Sequence, residues 1–417
     1  MNKLINLFFN LKSKGFFHLI ISNYSVQFIV FGSHLLIAKI MTPSDVGIIK
    51  TIETFINMAI ILGGGGVIFA LLKVIPENKD EKLRSYSLRF AIKHVLVFSS
   101  TVFIIFNTVA YFGLIFKNKE FIFWFHLYSL IIFPSVVVML LIRYYQAIDL
   151  FKKISTLILI LKLLSSLFVL GFTYYFFIKG YVLSMVITTI IIVIILLFNI
   201  RSSFYFSNNY LEIKGKIKYL AQTAFTAQII DQFKLNSGFF IANYIIIDRE
   251  IFGYYTFALI IVQGLNIIST SVQQFIIPKM SELSRDIPSF FQKYKKFEYR
   301  FITISMIIFL LAELFLPFLI ETVFGTKYSK AIPLLRIMLV GWGIQSFYAL
   351  KGVSFLSLGK MKYVSYYSFF IFMISVPLML WLNIIYGVKG AAFAFVLQNV
   401  ISFFVISFFV KKLKATE

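Results

Sequence analysis

The chain is a succession of apolar runs, about twelve of them, each close to the roughly 20 residues that cross a bilayer as a helix. They fall near 17–38, 46–71, 93–115, 121–144, 154–177, 181–200, 219–247, 251–277, 301–321, 331–356, 363–384 and 388–410. No stretch between them is long enough for a soluble domain. Composition agrees: 60% of the residues are hydrophobic and 14% charged, against about 45–50% and about 25% in soluble domains. The spacing therefore predicts an all-α polytopic membrane protein. The first run carries no A-x-A-like cleavage site after it and is expected to be retained.

The net charge of +23 is concentrated in short loops. Sorted by loop, 26 of the 40 Lys and Arg fall on one side of the twelve spans. They include Lys3, Lys12, Lys14, Lys79, Arg201, Lys216, Arg285 and Lys412. Only Lys39, Lys117, Lys119, Lys179, Arg249, Lys327, Lys330 and Lys389 fall on the other. Basic loops face the cytoplasm and its anionic leaflet. Both termini are expected to be cytoplasmic, in a bacterial cytoplasmic membrane. A charge surplus placed this way points to membrane lipids as partner and not to nucleic acid.

The two halves of the chain echo each other. Gly47 follows span 1 and Gly253 follows span 7; Ile75-Pro76 and Ile277-Pro278 end spans 2 and 8. Lys152 and Lys362 follow spans 4 and 10, and Lys179-Gly180 and Lys389-Gly390 open spans 6 and 12. The offsets run from 202 to 210 residues. Four ordered pairs at a nearly constant offset argue for a duplicated six-span unit. An even number of spans per copy makes the copies parallel repeats. The expected organisation is a six-helix lobe at 1–205, a cytoplasmic linker at 206–218 and a second lobe at 219–417.

Some ionic side chains lie inside the spans, where a central charge costs roughly 2.5–3.5 kcal/mol on insertion scales. The cations are Lys50, Arg143, Lys162, Lys234, Arg336 and Lys351; the acids are Glu53, Asp231 and Glu313. Span 7 is the densest, with Gln222, Gln228, Asp231, Gln232, Lys234 and Asn236. Asp231 and Lys234, like Lys50 and Glu53, are three residues apart and share a helix face. Six cations against three acids suggest a wet, electropositive cavity between the halves, built for an anionic head group. The alternative is that they snorkel from helix ends or form internal ion pairs. The three acids are candidates for ion coupling, Glu313 above all, since it has no neighbouring partner in the sequence. Glu53 and Asp231 can equally serve to offset Lys50 and Lys234.

Other chemistries are poorly supplied. There is no cysteine, and His18, His34, His94 and His126 show no metal-ligand spacing. No metal or cofactor is expected, and these histidines read as interfacial or packed. Gly63-Gly64-Gly65-Gly66 lacks the Lys-Ser/Thr of a phosphate loop and lies inside span 2, so it reads as a bend or a close helix approach.

Four segments resemble the polysaccharide-export branch of the multidrug/oligosaccharidyl-lipid/polysaccharide flippase superfamily. They are Ala38-Lys39-Ile40-Met41-Thr42-Pro43-Ser44-Asp45-Val46-Gly47, Asp248-Arg249-Glu250-Ile251-Phe252-Gly253-Tyr254-Tyr255, Ala331-Ile332-Pro333-Leu334-Leu335-Arg336 with Leu358-Gly359-Lys360, and Tyr386-Gly387-Val388-Lys389-Gly390-Ala391-Ala392. Val46 stands where the family has an aromatic. The resemblance implies two six-helix lobes in a V-shaped, MATE-like arrangement. It also implies a substrate of oligosaccharide linked through pyrophosphate to a polyprenyl carrier. Lys50, Lys162, Lys234 and Lys351 could meet the pyrophosphate, and Gln228, Gln263, Gln273, Gln345 and Asn399 the sugar. Such a flippase works as a monomer beside a polysaccharide polymerase and glycosyltransferases. The competing readings are a cation-coupled drug exporter, whose cavity should be acidic, and a lipid II flippase, which usually has extra helices. A membrane polymerase or ligase is a third, but it needs a larger outer domain than these loops of about 5–15 residues provide.

Overall fold

The computed structural model describes residues 16–77, 80–116, 118–200, 211–281, 283 and 286–416. Lys3, Lys12, Lys14, Lys79, Lys117, Arg201, Arg285, part of the expected linker (206–210) and the His18 side chain lie outside the described residues. The described chain is helical nearly throughout: α1 (Phe16–Ile40), α2 (Pro43–Gly63), α3 (Val67–Glu77), α4 (Glu81–Tyr111), α5 (Lys119–Ser129), α6 (Ile132–Ala147), α7 (Phe151–Ile200), α8 (Leu211–Ile245), α9 (Arg249–Ser281), α10 (Ile287–Phe324), a 3-10 turn (Gly325–Ala331), α11 (Ile332–Ser346), α12 (Lys351–Ser357) and α13 (Met361–Thr416).

Among the described residues, seven helical stretches are long and apolar enough to cross a membrane. Three of them, 50, 60 and 53 residues long, are at least twice the length of one crossing. The first and third reverse direction inside. Residues eight apart in a helix should be about 12 Å apart. Yet a Cβ built on Gly180 would sit 2.1 Å from the Phe172 carbonyl oxygen, and one on Gly390 would sit 2.0 Å from that of Leu382. Each stretch is therefore a tight helical hairpin, turning at Phe177 and Gly387. Large apolar side chains such as Ile104, Leu167, Ile194, Leu314 and Phe404 are exposed along these helices. In a soluble protein that would be a liability; here it is the surface that lipid covers. The protein is a multi-pass membrane protein.

The duplication reaches the backbone torsions. Phe177 (φ 50°, ψ −131°) and Gly387 (φ 54°, ψ −128°) stand 210 residues apart. Asp149 (φ 62°) and Gly359 (φ 69°) stand 210 apart as well. Among the described residues, the positive-φ residues other than glycine are thus the first-half counterparts of second-half glycines. Helix starts match too. Thr42 and Asp45 cap α2 reciprocally, with Thr42 N to Asp45 Oδ2 at 3.1 Å and Asp45 N to Thr42 Oγ1 at 3.2 Å. Asp248, 206 residues later, caps α9 through Glu250 N at 2.9 Å and Ile251 N at 3.1 Å.

The chain divides into two compact units. One holds the residues up to Ile40 together with Thr51–Ile229, the other Met41–Lys50 with Ile230–Glu417. Both α2 and α8 are thus divided between units. In the first unit α1 packs along α7, pinned by Ser22 Oγ donating to Ser155 O at 2.6 Å. The glycine run breaks α2 from α3, with Gly65 and Gly66 at positive φ. Gly66 also lets Ala221 of α8 approach, since a Cβ there would lie 2.0 Å from the Ala221 carbonyl oxygen. Near the same ends Lys216 bonds Glu77 and holds its carboxyl below the usual carboxylate range. In the second unit, Ile276, Met280, Phe290, Tyr294, Leu350 and Val353 form one core cluster; Phe355, Ile371, Ile406, Phe409 and Leu413 form another. Here the repeat-equivalent glycines of the 46–48 and 252–254 segments meet. A Cβ on Gly47 would lie 3.2 Å from Gly253 Cα, and one on Gly253 would lie 1.9 Å from Pro43 O.

The turns and close approaches carry two expectations for stability. Phe177 holds the first central position of a type II′ turn, which favours glycine, at a strain of about 1–3 kcal/mol. Its side chain is exposed, so Phe177→Gly should raise the thermal unfolding midpoint by about 2–4 °C, while Gly387→Phe should lower it. Gly253→Ala should cost about 1–3 kcal/mol through forced backbone movement, whereas Gly32→Ala, which meets open space, should cost nothing. Thermal unfolding of the purified variants in detergent measures both.

Candidate functional site

The charged side chains within the spans divide between the two units, and each unit has its own cluster. In the second unit the cluster gathers on α8 and α13. Lys234 Nζ donates to Asp231 Oδ1 at 2.6 Å and to Ser368 Oγ at 3.0 Å, and lies 5.8 Å from the Tyr367 ring centroid. The i,i+3 spacing brings Asp231 and Lys234 together, as helix geometry requires. The pair is lopsided in burial, with the Lys234 side chain 15% exposed and Asp231 44%. From the other arm of the α13 hairpin, Gln398 Nε2 donates to the Lys234 carbonyl oxygen at 2.9 Å. This ties a carbonyl of α8 to that second arm.

Two other cations of the second unit have neutral groups among their partners. Lys50 Nζ donates to Gln263 Oε1 at 2.9 Å, joining the start of α2 to α9. Lys351 Nζ donates to Ser407 Oγ at 2.6 Å and lies 4.4 Å from the Phe403 ring centroid. Arg336 is exposed and Glu313 half-buried. No ion pair joins Arg336 to Glu313 among the described residues. The amides read as sugar-facing are partly engaged: Gln273 Nε2 donates to Ala349 O at 2.6 Å, and Asn399 accepts from Tyr348 Oη at 2.5 Å. Gln345 is half-buried.

In the first unit, Lys162 is half-buried on α7. Among the described residues no side chain bonds or pairs with its amine; only its carbonyl is used, by Ser165 at 3.0 Å. Arg143 Nη1 donates to Gln146 Oε1 at 2.9 Å, one turn along α6. Gln228 Oε1 is buried and meets no donor among the described residues. Lys162, Arg143, Lys351 and Arg336 thus pair with no carboxylate among the described residues, whereas Lys234 does.

Glu53 is the most enclosed acid of the three, 5% exposed. Sequence spacing places Lys50 beside it on the same helix. From other helices the structure brings His34 Nε2, at 3.0 Å from Oε1 and 3.2 Å from Oε2, and the Tyr181 hydroxyl, which donates to Oε1. Tyr128 stacks on Tyr181 at 6.1 Å. Tyr181 is 128 residues away from Glu53 and His34 is 19, so no local pattern could point to either. The remaining signal was a polar His34 within the first apolar run. His126 Nδ1, also read as packed, bonds Asn107 Oδ1 at 2.5 Å. No group of three His, Asp or Glu able to hold a metal occurs among the described residues.

Solved structures show which fold these helices make. The inward-facing conformation of a multidrug resistance MATE family transporter of the MOP superfamily aligns with a TM-score of 0.75 at 11% identity, over 94% of this chain and 95% of that one. Lipid II flippase MurJ, in an inward closed conformation, aligns at 0.72 and 16% identity, over 94% and 87%. A MOP superfamily transporter from Pyrococcus furiosus, described as having a binding pocket of reverse polarity, aligns at 0.61 and 12% identity, over 97% and 95%. At such identities the likeness is one of fold: all-helical and MATE-like along almost the whole chain. No curated protein matches the sequence. A family model described as polysaccharide biosynthesis protein matches residues 36–333. That is well over half of the 417 residues, and the chain belongs to the polysaccharide biosynthesis protein family.

Proposed function

We propose that the protein flips polyprenyl-pyrophosphate-linked oligosaccharide repeat units from the inner to the outer leaflet of a bacterial cytoplasmic membrane, by alternating access, for surface polysaccharide synthesis. The observation that carries this reading is the unneutralised positive charge at membrane depth. A pyrophosphate is an anion that must pass a medium hostile to charge, and cations held there by neutral partners keep their charge for it. Lys162 and Arg143 in the first unit and Lys351 in the second are the proposed head-group contacts of this kind; Lys50, bonded to Gln263, is proposed with them for its position alone. Lys234 adds less net charge because Asp231 is bonded to it, and exposed Arg336 is the weakest of the set. A drug exporter taking cationic compounds would need the opposite balance.

The family and the fold support transport over catalysis. A flippase of this kind needs no cofactor and forms no covalent intermediate. Its partners in this reading are the lipid-linked oligosaccharide, the surrounding lipids, and the glycosyltransferases and polymerase that make and consume the repeat unit; a monomer suffices. The proposed lobes are the duplicated six-span halves, 1–205 and 219–417, joined by 206–218, with both termini cytoplasmic. Glu53, Asp231 and Glu313 are the proposed ion-coupling acids.

Complementation of a flippase-null strain tests the reading. The wild-type chain should restore surface glycan and clear accumulated lipid-linked repeat unit. Lys162→Ala should reduce surface glycan at least tenfold, as loss of a charge-assisted contact of about 1.5–3 kcal/mol implies, with repeat unit accumulating inside and membrane insertion unchanged. Lys162→Arg should retain most activity. Normal export in Lys162→Ala would remove that residue from the site. Reporter fusions should place both termini in the cytoplasm.

A further inference from the structure

The His34–Glu53 pair has a proton requirement that its geometry sets. His34 Nδ1 lies 2.7 Å from the Val30 carbonyl oxygen. A carbonyl only accepts, so Nδ1 carries a hydrogen. In a neutral imidazole Nε2 is then a bare lone pair. That lone pair faces both carboxylate oxygens of Glu53, at 3.0 and 3.2 Å. Two acceptors do not hold each other at that distance. One proton must lie between them, whether written as imidazolium–carboxylate or as imidazole–carboxylic acid.

We propose that His34, Glu53 and Tyr181 form a binding site for one exchangeable proton, and that its release parts α1 from α2. The structure is the proton-loaded form. Without that proton the imidazole lone pair opposes a carboxylate whose residue is only 5% exposed, an arrangement that low dielectric makes costly. The titratable groups brought to Glu53 from other helices include His34 from α1, Tyr181 from α7 and Tyr128 from α5. Lys50 lies three residues earlier on its own helix. The Tyr181 hydroxyl, donating to Oε1, remains with the carboxylate when His34 withdraws.

The fold does not call for these groups. The duplication puts Phe240 206 residues after His34, Leu259 206 after Glu53 and Ala391 210 after Tyr181. The second half builds its copy of these helices with apolar residues at all three positions. A buried acid and histidine confined to one copy of a duplicated scaffold are there for a reason other than packing.

This inference takes its purpose, coupling movement to a proton gradient, from the translocation reading, but its test needs no glycan. The full chain, purified and reconstituted in lipid vesicles, is taken from about pH 5 to about pH 10, a range spanning ordinary histidine titration, and followed by infrared difference spectroscopy. The wild type should lose one proton per chain more than the Glu53→Gln variant does, with a carboxyl or imidazole signature. The signature should vanish in Glu53→Gln and in the double variant His34→Phe with Glu53→Leu, which copies the second half and so suits the scaffold. The chain has no cysteine, so an Ile37→Cys reporter on α1 can be labelled alone. Its labelling rate, taken relative to that of a free cysteine at the same pH because only the thiolate reacts, should rise with pH in the wild-type background and stay flat in Glu53→Gln. A signature that persists in both variants, or a labelling rate unaffected by Glu53→Gln, overturns the proposal. Failure of both variants to fold would make the trio structural and overturn it equally. A titrating pair in a protein that does not complement a flippase-null strain would leave the proton site standing and refute the flippase reading instead.

Discussion

The bilayer interior makes every ionic side chain in this protein account for its charge. A lone charge there costs more than a typical core contact returns, so each must find a counter-charge, a set of dipoles or a ligand. The structure shows the first two solutions side by side. Asp231 neutralises Lys234, and Ser368 completes the ammonium's contacts. Lys351 rests on Ser407 and the face of Phe403, and Arg143 on Gln146. Lys162 has neither kind of side-chain partner among the described residues, which makes it the first candidate for the third solution, an anionic ligand.

The second constraint is the duplication, and it separates scaffold from function. Where the two copies agree, the residue is there for the fold: the capped starts of α2 and α9, and the helical hairpins at Phe177 and Gly387 with the same torsions. Where they disagree in charge, the residue answers to something else. His34 and Glu53 have Phe240 and Leu259 as their second-half equivalents. Lys234 and Asp231 have Phe28 and Ser25 as their first-half equivalents, 206 residues earlier. Each half thus carries an ionic cluster that its twin does without.

Much of this was legible in the sequence because membrane proteins write their fold in length and hydropathy. The runs of about 20 residues mark the crossings, and the constant offset between Lys179-Gly180 and Lys389-Gly390 points to a repeat that recurs in the torsions. Asp231 with Lys234 follows from helical spacing alone. What spacing could not supply is any contact between helices. His34 and Tyr181 come together because α1 and α7 pack against each other, both reach Glu53 from other helices, and Lys351 meets Ser407 from 56 residues away. Hydropathy and the Lys179-Gly180 and Lys389-Gly390 pairs mark where both hairpins turn, but not how tightly. A single residue at positive φ, followed three positions later by a glycine, reverses the chain.

The central claim is that this scaffold carries an anionic lipid-linked sugar through the membrane. The most direct measurement reconstitutes the purified protein in vesicles with a labelled polyprenyl-pyrophosphate oligosaccharide confined to one leaflet. An added glycosidase then reports its arrival at the other. The account predicts exposure much faster than in protein-free vesicles, and competition by other polyprenyl pyrophosphates but not by apolar cations. Exposure no faster than in empty vesicles, in preparations that do transport an apolar cationic dye, would contradict it.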